Sequence, residues 1–346
     1  MGELRSQLTA NADWVVPSAA LTALIAAVCA GMSPSYGFLF PAMFSLVGCL
    51  ILGWVFGSVW LAAKVITNRP DSPLAEAGRL LVAYRATIAF QFGLILLVGT
   101  AMMVFTWIKS LLNLHVVFWA DPLLARVDHV LFLGHDPWRF VGWLAFPQVG
   151  HVYHRAWFFL MIAMLLVSAA ARPSPNKSAV MFSYFALWLV VGPLIHIALP
   201  AAGPIFFERM GYGGQFSGLS PDAETVEVAQ TLWAVYTSHG LIVGSGISAM
   251  PSLHIASVTW MAIAASKLAP RLAAPVTAFA ILIFALSIGL GWHYAVDGIV
   301  GAASAVACFA VVLAGYRAKA AAVGRALAVE LAEEDLETRS AGPDFG

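Results

Sequence analysis

The sequence predicts an all-α polytopic membrane bundle of about eight transmembrane helices. Three observations predict it. Of 346 residues, 61% are hydrophobic and only 10% charged, where ordinary soluble domains carry roughly 25% charged residues. The apolar residues run in stretches close to the ~20 residues that cross a bilayer. Lipid offers the backbone no hydrogen-bond partners, so such stretches must be helical. Net charge is zero, so nothing points to nucleic acid, and no dense basic cluster points to peripheral docking. Cys29, Cys49 and Cys308 all sit inside apolar runs, which argues against both a disulfide framework and a zinc cluster.

The first span, Val15–Gly31, follows one early cation, Arg5, and no small-residue cleavage site. It reads as a retained span, not a removed signal peptide. The second is Phe38–Ala63 and the third Thr87–Trp107. A segment rich in Trp and Phe follows, residues 109–155, with the run Gly134-His135-Asp136-Pro137-Trp138. It suits an interfacial or re-entrant amphipathic helix at headgroup level. The fourth span, Ala156–Ala171, is short and extends back toward His151; the fifth is Val180–Leu199. Residues 200–244 are rich in Gly and Pro, which marks irregular backbone and the natural place for a lid. The sixth span, Pro251–Ala265, is also short. Ala273–Gly291 and Ala295–Gly315 complete the set. The chain therefore divides into two N-terminal spans (1–85), a six-helix core (86–316) and a cytoplasmic tail (317–346) that is helix-prone, then acidic, then partly disordered.

Cytoplasmic loops carry an excess of Lys and Arg. With the N-terminus inside, the alternating loops place 13 of the 18 Lys and Arg residues on the cytoplasmic side. The five outside are Lys109, Arg126, Arg139, Arg155 and Arg209. Both termini are then cytoplasmic.

On this topology His254, at the head of the sixth span, and His293, at the head of the eighth, share the outer face. Ionisable groups in apolar segments are expensive and call for a functional reason. Asp297 lies four residues after His293, one helical turn on. A carboxylate there fixes the imidazole tautomer and leaves the other nitrogen nucleophilic. His254 becomes the separate general acid. Pro251 fits a first helical turn, and Ser248 and Ser252 lie beside a helix N-terminus, a ready anion site. A nucleophilic His, an acid His and an anion cradle point to phosphoryl transfer through a phosphohistidine. A transporter or a structural membrane protein is the alternative. Against it stand the lack of a recognisable inverted repeat and the gathering of the polar candidates at one face.

These residues resemble the type 2 phosphatidic acid phosphatase superfamily, the integral-membrane lipid phosphate phosphatases and phosphotransferases. Pro251-Ser252-Leu253-His254 matches its Pro-Ser-x-His motif, and His293-Tyr-Ala-Val-Asp297 its His-x3-Asp motif. The resemblance implies a lipid phosphate substrate, an alcohol or polyol as a further acceptor, no cofactor and no metal. It implies His293 as nucleophile, Asp297 as its partner and His254 as acid. The sequence departs from the family at two places. Leu286-Ser287 stands where Ser-Arg is usual, and the first motif, Lys followed by Arg-Pro, has no copy one span before His254; Lys64 and Arg69-Pro70 lie on the other side. In that place stands Gly203-Pro-Ile-Phe-Phe-Glu208-Arg209, so Arg209, with Glu208 beside it, is the candidate phosphate ligand. The divergence is similar to the branch that includes inositol phosphorylceramide synthases.

Other polar residues read more plainly. His135 and Asp136 fix their loop or line a headgroup pocket. His151 and His154 have metal-ligand spacing without a further ligand set. His196 makes a buried polar contact, and Gly298 and Gly301 allow close helix packing.

Overall fold

A computed structural model describes residues 2–33, 39–240 and 245–340. The expected start of the second span at Phe38, the end of the outer loop at 241–244 and the last six residues of the tail lie outside them. The described residues form twelve helices and no strand: α1 (Gly2–Met32), α2 (Leu39–Asn68), α3 (Pro73–Ala83), α4 (Arg85–Asn113), α5 (Asp121–Leu131), α6 (Trp138–Val141), α7 (Val149–Ala170), α8 (Pro175–Ala198), α9 (Ala223–Thr237), α10 (Leu253–Leu268), α11 (Ala273–Gly289) and α12 (Ala295–Ser340). Seven are long and apolar enough to cross a membrane, and α10 is a shorter apolar helix. The chain is thus a polytopic helical bundle. The tail continues α12 without a break as far as Ser340.

α10 is the hub. It packs against α7, α8, α11 and α12, while α1 and α2 lean on α4 from outside. Without a hydrophobic drive between helices in lipid, close approach and dispersion must hold such a bundle, and small residues permit the approach. Gly301 of α12 shows it: a Cβ there would overlap the Ser252 carbonyl at the head of α10. At Gly298 a Cβ would run into the Phe284 ring of α11. α10 has 16 residues, about 24 Å of helix, which is short of the ~30 Å hydrocarbon core. The polar residues collect at its N-terminus.

Pro251 proves not to be a helical residue. Ser252 takes the N-cap, its hydroxyl accepting from the Ile255 N–H at 3.4 Å, and α10 starts at Leu253. The segment after α4 forms α5 and α6. α5 buries Asp121, Leu124, Ala125 and Asp128 on one face and exposes Leu123, Val130 and Leu131 on the other. The long loop after α8 is ordered by a 3-10 turn, Pro204–Phe206, and by α9.

Candidate active site

A cavity of about 320 Å³ opens beside the head of α10. One part of its wall is apolar, with Met102 and Phe105 of α4, Phe158 of α7 and Trp188 of α8. The other is polar, with Lys109, His154, Ser248, His254 and His293. No carboxylate lines it among the described residues.

His254 stands in the first turn of α10. Its ring stacks on Tyr153 at 4.5 Å and 21°, and Trp157 lies at 4.2 Å. Trp157 is itself held by its indole N–H, which donates to Ser257 at 2.8 Å. The His254 ring is thus fixed by aromatic surfaces, and its Nε2 is buried with no hydrogen-bond partner among the described residues. Tyr153 and the third histidine, His154, come from one π-helical turn, Val152–Ala156, inside α7; such turns widen a helix locally and cluster at functional sites.

His293 lies in the corner between α11 and α12. The turn is made at Gly291, whose φ of +78° suits glycine and where a Cβ would meet Leu219 at 2.7 Å. The ring is 6.2 Å from that of His254. Its Nδ1 lies 2.8 Å from the Ala249 carbonyl and 3.6 Å from Asp297 Oδ2. The carbonyl is the hydrogen-bond acceptor, so Nδ1 carries the proton and Nε2 is left basic. The sequence reading gave that acceptor role to Asp297. The difference is geometric: His293 precedes α12, so the pair is not one regular helical turn apart. Asp297 is fully buried. It accepts from the Tyr294 N–H at 2.9 Å, and its backbone carbonyl accepts from the Ser252 N–H at 3.1 Å, joining the heads of α12 and α10.

Ser248 lines the cavity, with its hydroxyl 3.1 Å from His196 Nδ1. Ser252 does not line it; its hydroxyl is occupied as the α10 cap. Glu208 and Arg209 are exposed and away from it, because Phe206 and Phe207 turn inward and send the next two residues out. The Arg209 guanidinium lies over Trp233 at 5.8 Å. His151 and His154 part company: His151 pairs with Glu224, and His154 faces the cavity 5.6 Å from the Trp292 ring. Asp136 fixes its loop, accepting from Gln215 at 2.9 Å beside His129 and Arg139.

Four residues here escaped the sequence reading as site residues. Lys109, near the C-terminal end of α4, lies along the wall against Gly246, where a Cβ would come within 3.1 Å of its side chain. None of the ion pairs among the described residues includes it. Its position at the outer end of a span was readable; its aim was not. His154 was noticed only for its spacing. Asp121 and Asp128 carried no motif, yet both are buried, at 0% and 4% exposure. Asp121 accepts from the N–H groups of Ala202 and Gly203, both at 2.8 Å, and from the Tyr294 hydroxyl at 2.9 Å. Asp128 accepts from the N–H groups of Ala295 at 2.6 Å and Val296 at 2.9 Å, the first residues of α12. Burial pushes the Asp128 carboxyl up to about 6, against the pull of those donors. Burial raises Asp121 as well, and its three donors oppose the rise.

Fold and cavity together define a polytopic membrane protein with imidazoles at the head of a short central helix. A family model described as the PAP2 superfamily matches residues 122–311. The chain belongs to that superfamily, the type 2 phosphatidic acid phosphatases, and its activity is of the phosphatase or phosphotransferase type. The match covers α5 to α11 and the head of α12, and begins after Lys109. No curated protein and no solved structure matches the chain.

Proposed function

We propose that this protein transfers or releases the phosphoryl or phospho-headgroup of a membrane lipid through a phosphohistidine on His293. The observation that carries the reading is the placement of His254 and His293, 6.2 Å apart, on one mainly apolar cavity with a polar wall. An apolar wall between spans suits acyl chains, and the polar wall suits a phosphate.

In the first step His293 Nε2 attacks phosphorus. The bond from phosphorus to the leaving oxygen breaks, and that oxygen takes its proton from His254. In the second, water or an alcohol attacks the phosphohistidine. The N–P bond breaks, its electron pair returns to His293, and His254 takes the proton of the attacking oxygen. Neither step calls for a metal. Asp297 holds the corner and places negative charge near a ring that becomes cationic. Stabilising charge on the transferring group is most of phosphoryl-transfer catalysis. We assign that part to Lys109 and the Ser248 hydroxyl, in place of Arg209, Glu208 and Ser252. The Lys and Arg bias of the loops puts the site on the non-cytoplasmic face with both termini inside. Transfer to an alcohol or polyol, as in the inositol phosphorylceramide synthases that the sequence resembles, is the form we favour over hydrolysis.

The test is to incubate the purified protein with phosphatidic acid labelled at phosphorus, with and without a panel of polyols. Acid-labile label on His293 and labelled polyol are expected. Turnover without label on the wild-type protein, or a His293→Ala variant near the wild-type rate, would sink the reading.

A further inference from the structure

We propose that Asp121 and Asp128, on the interfacial helix α5, are positioning residues for the nucleophile. The inference rests on the reading of His293 above and adds the device that aims it. The nucleophile's ring is not held by its own helix, because His293 stands before α12. It is held by the Ala249 carbonyl at 2.8 Å. Ala249 is fixed in turn by its N–H, which donates to the Ala201 carbonyl at 2.8 Å. The next two residues of that strand of chain, Ala202 and Gly203, give their N–H groups to the two oxygens of Asp121. An unbroken relay of hydrogen bonds thus runs from α5 to Nδ1 of His293.

A second relay reaches the ring from the other side. Tyr294, next in the chain to His293, donates its hydroxyl to Asp121. The two residues after it, Ala295 and Val296, donate their N–H groups to Asp128. The corner also has no room to shift: a Cβ on Gly203 would lie 2.5 Å from the Trp292 carbonyl, and the Ile205 N–H donates to the Gly291 carbonyl at 2.8 Å. Neither aspartate lines the cavity, so neither is in place to touch substrate. Both carboxylates are wholly committed to backbone and hydroxyl donors that flank the nucleophile. A carboxylate that only stabilised α5 would bond within α5; these bond to residues 81 or more positions away.

Misplacing a reacting atom by about 1 Å costs ~100-fold in rate. The full-length protein in lipid nanodiscs, with labelled phosphatidic acid as probe, gives the test. Asp121→Asn, Asp128→Asn and Tyr294→Phe are each compared with wild type for the rate of His293 labelling, for kcat and KM, and for thermal midpoint. We expect kcat and labelling to fall by about 10- to 100-fold with KM within twofold, because the aim is lost and the substrate contacts are kept. The Asp121→Asn and Tyr294→Phe losses should add less than fully in the double variant, since both disturb the Tyr294–Asp121 bond. Tyr294→Phe deletes a single hydroxyl and keeps the test decisive if an aspartate variant does not fold. Folded variants that label His293 at the wild-type rate would overturn the inference while leaving the parent reading intact. So would a loss confined to KM. Wild-type turnover without label would overturn both.

Discussion

The corner that carries His293 and the cavity wall that faces it are built on opposite rules. In the corner, the donors of the three residues after His293 are met: Tyr294, Ala295 and Val296 give their N–H groups to Asp297 and Asp128, and the Tyr294 hydroxyl goes to Asp121, while Trp292 Nε1 and Asp297 Oδ1 have no partner among the described residues. Across the cavity, Lys109 has no carboxylate partner among the described ion pairs, and His254 Nε2 has no partner among the described residues. A buried polar group without a partner costs about 1–3 kcal/mol. On the proposed reading, the open wall is where the substrate phosphate binds. On that reading the contrast separates groups that hold the site from groups that meet substrate.

The comparison can be broken most forcefully at its meeting point. His293→Ala should lower turnover of a lipid phosphate by on the order of 10⁴-fold or more, as removal of a nucleophile does elsewhere. Phosphate release or transfer measured under saturating lipid checks this. Next comes the open wall. Lys109→Gln should cost ~100-fold in kcat/KM, the scale of losing one charge-stabilising donor. The thermal midpoint should hold or rise, because an unpaired cation leaves an apolar setting. A variant that lost stability and kept activity would place Lys109 with the holding groups instead.

The closed region should show the reverse. Gly301→Ala drives a methyl into the Ser252 carbonyl, and overpacking of this kind typically costs ~1–3 kcal/mol. Chemical or thermal unfolding should register it, with activity lost in proportion. Smallest is the tether of α9. Asp222 caps α9 and accepts from the Gly150 N–H of α7 at 3.1 Å, while Glu224 pairs with Arg155 at 3.3 Å. Burial would raise the Asp222 carboxyl, but hydrogen bonds from Thr225 and Gly150 outweigh it and hold it below its ordinary 3.8. Its contribution is therefore present above pH 3.8 and lost as pH falls through the lower folded value. Asp222→Ala should cost about 1 kcal/mol at neutral pH and progressively less in acid. Hydrogen exchange of the α9 amides reads it, and equal protection in both proteins at pH 7 would remove the tether.

All eight expected spans are helices in the structure, because a long apolar run has one way to satisfy its backbone in lipid, and composition reports such runs directly. That His254, His293 and Asp297 would lie together was readable for a related reason. Polar residues in apolar surroundings stand out, and their short spacings survive folding as proximity. Arg209 was chosen by the same logic of position along the chain, and there it misled: two inward phenylalanines decide that it faces away. Lys109, Asp121, Asp128 and the Ala249 carbonyl were invisible for the complementary reason. Their meaning lies in contacts across separations of 44 to 173 residues, and a backbone carbonyl has no letter in a sequence at all. The sequence by itself determined a membrane bundle with two histidines at one of its faces. Only the tertiary structure decided which atom holds the His293 ring, which cation lines the same cavity and which acids bond beside it, because hydrogen-bond geometry exists only once distant segments have packed.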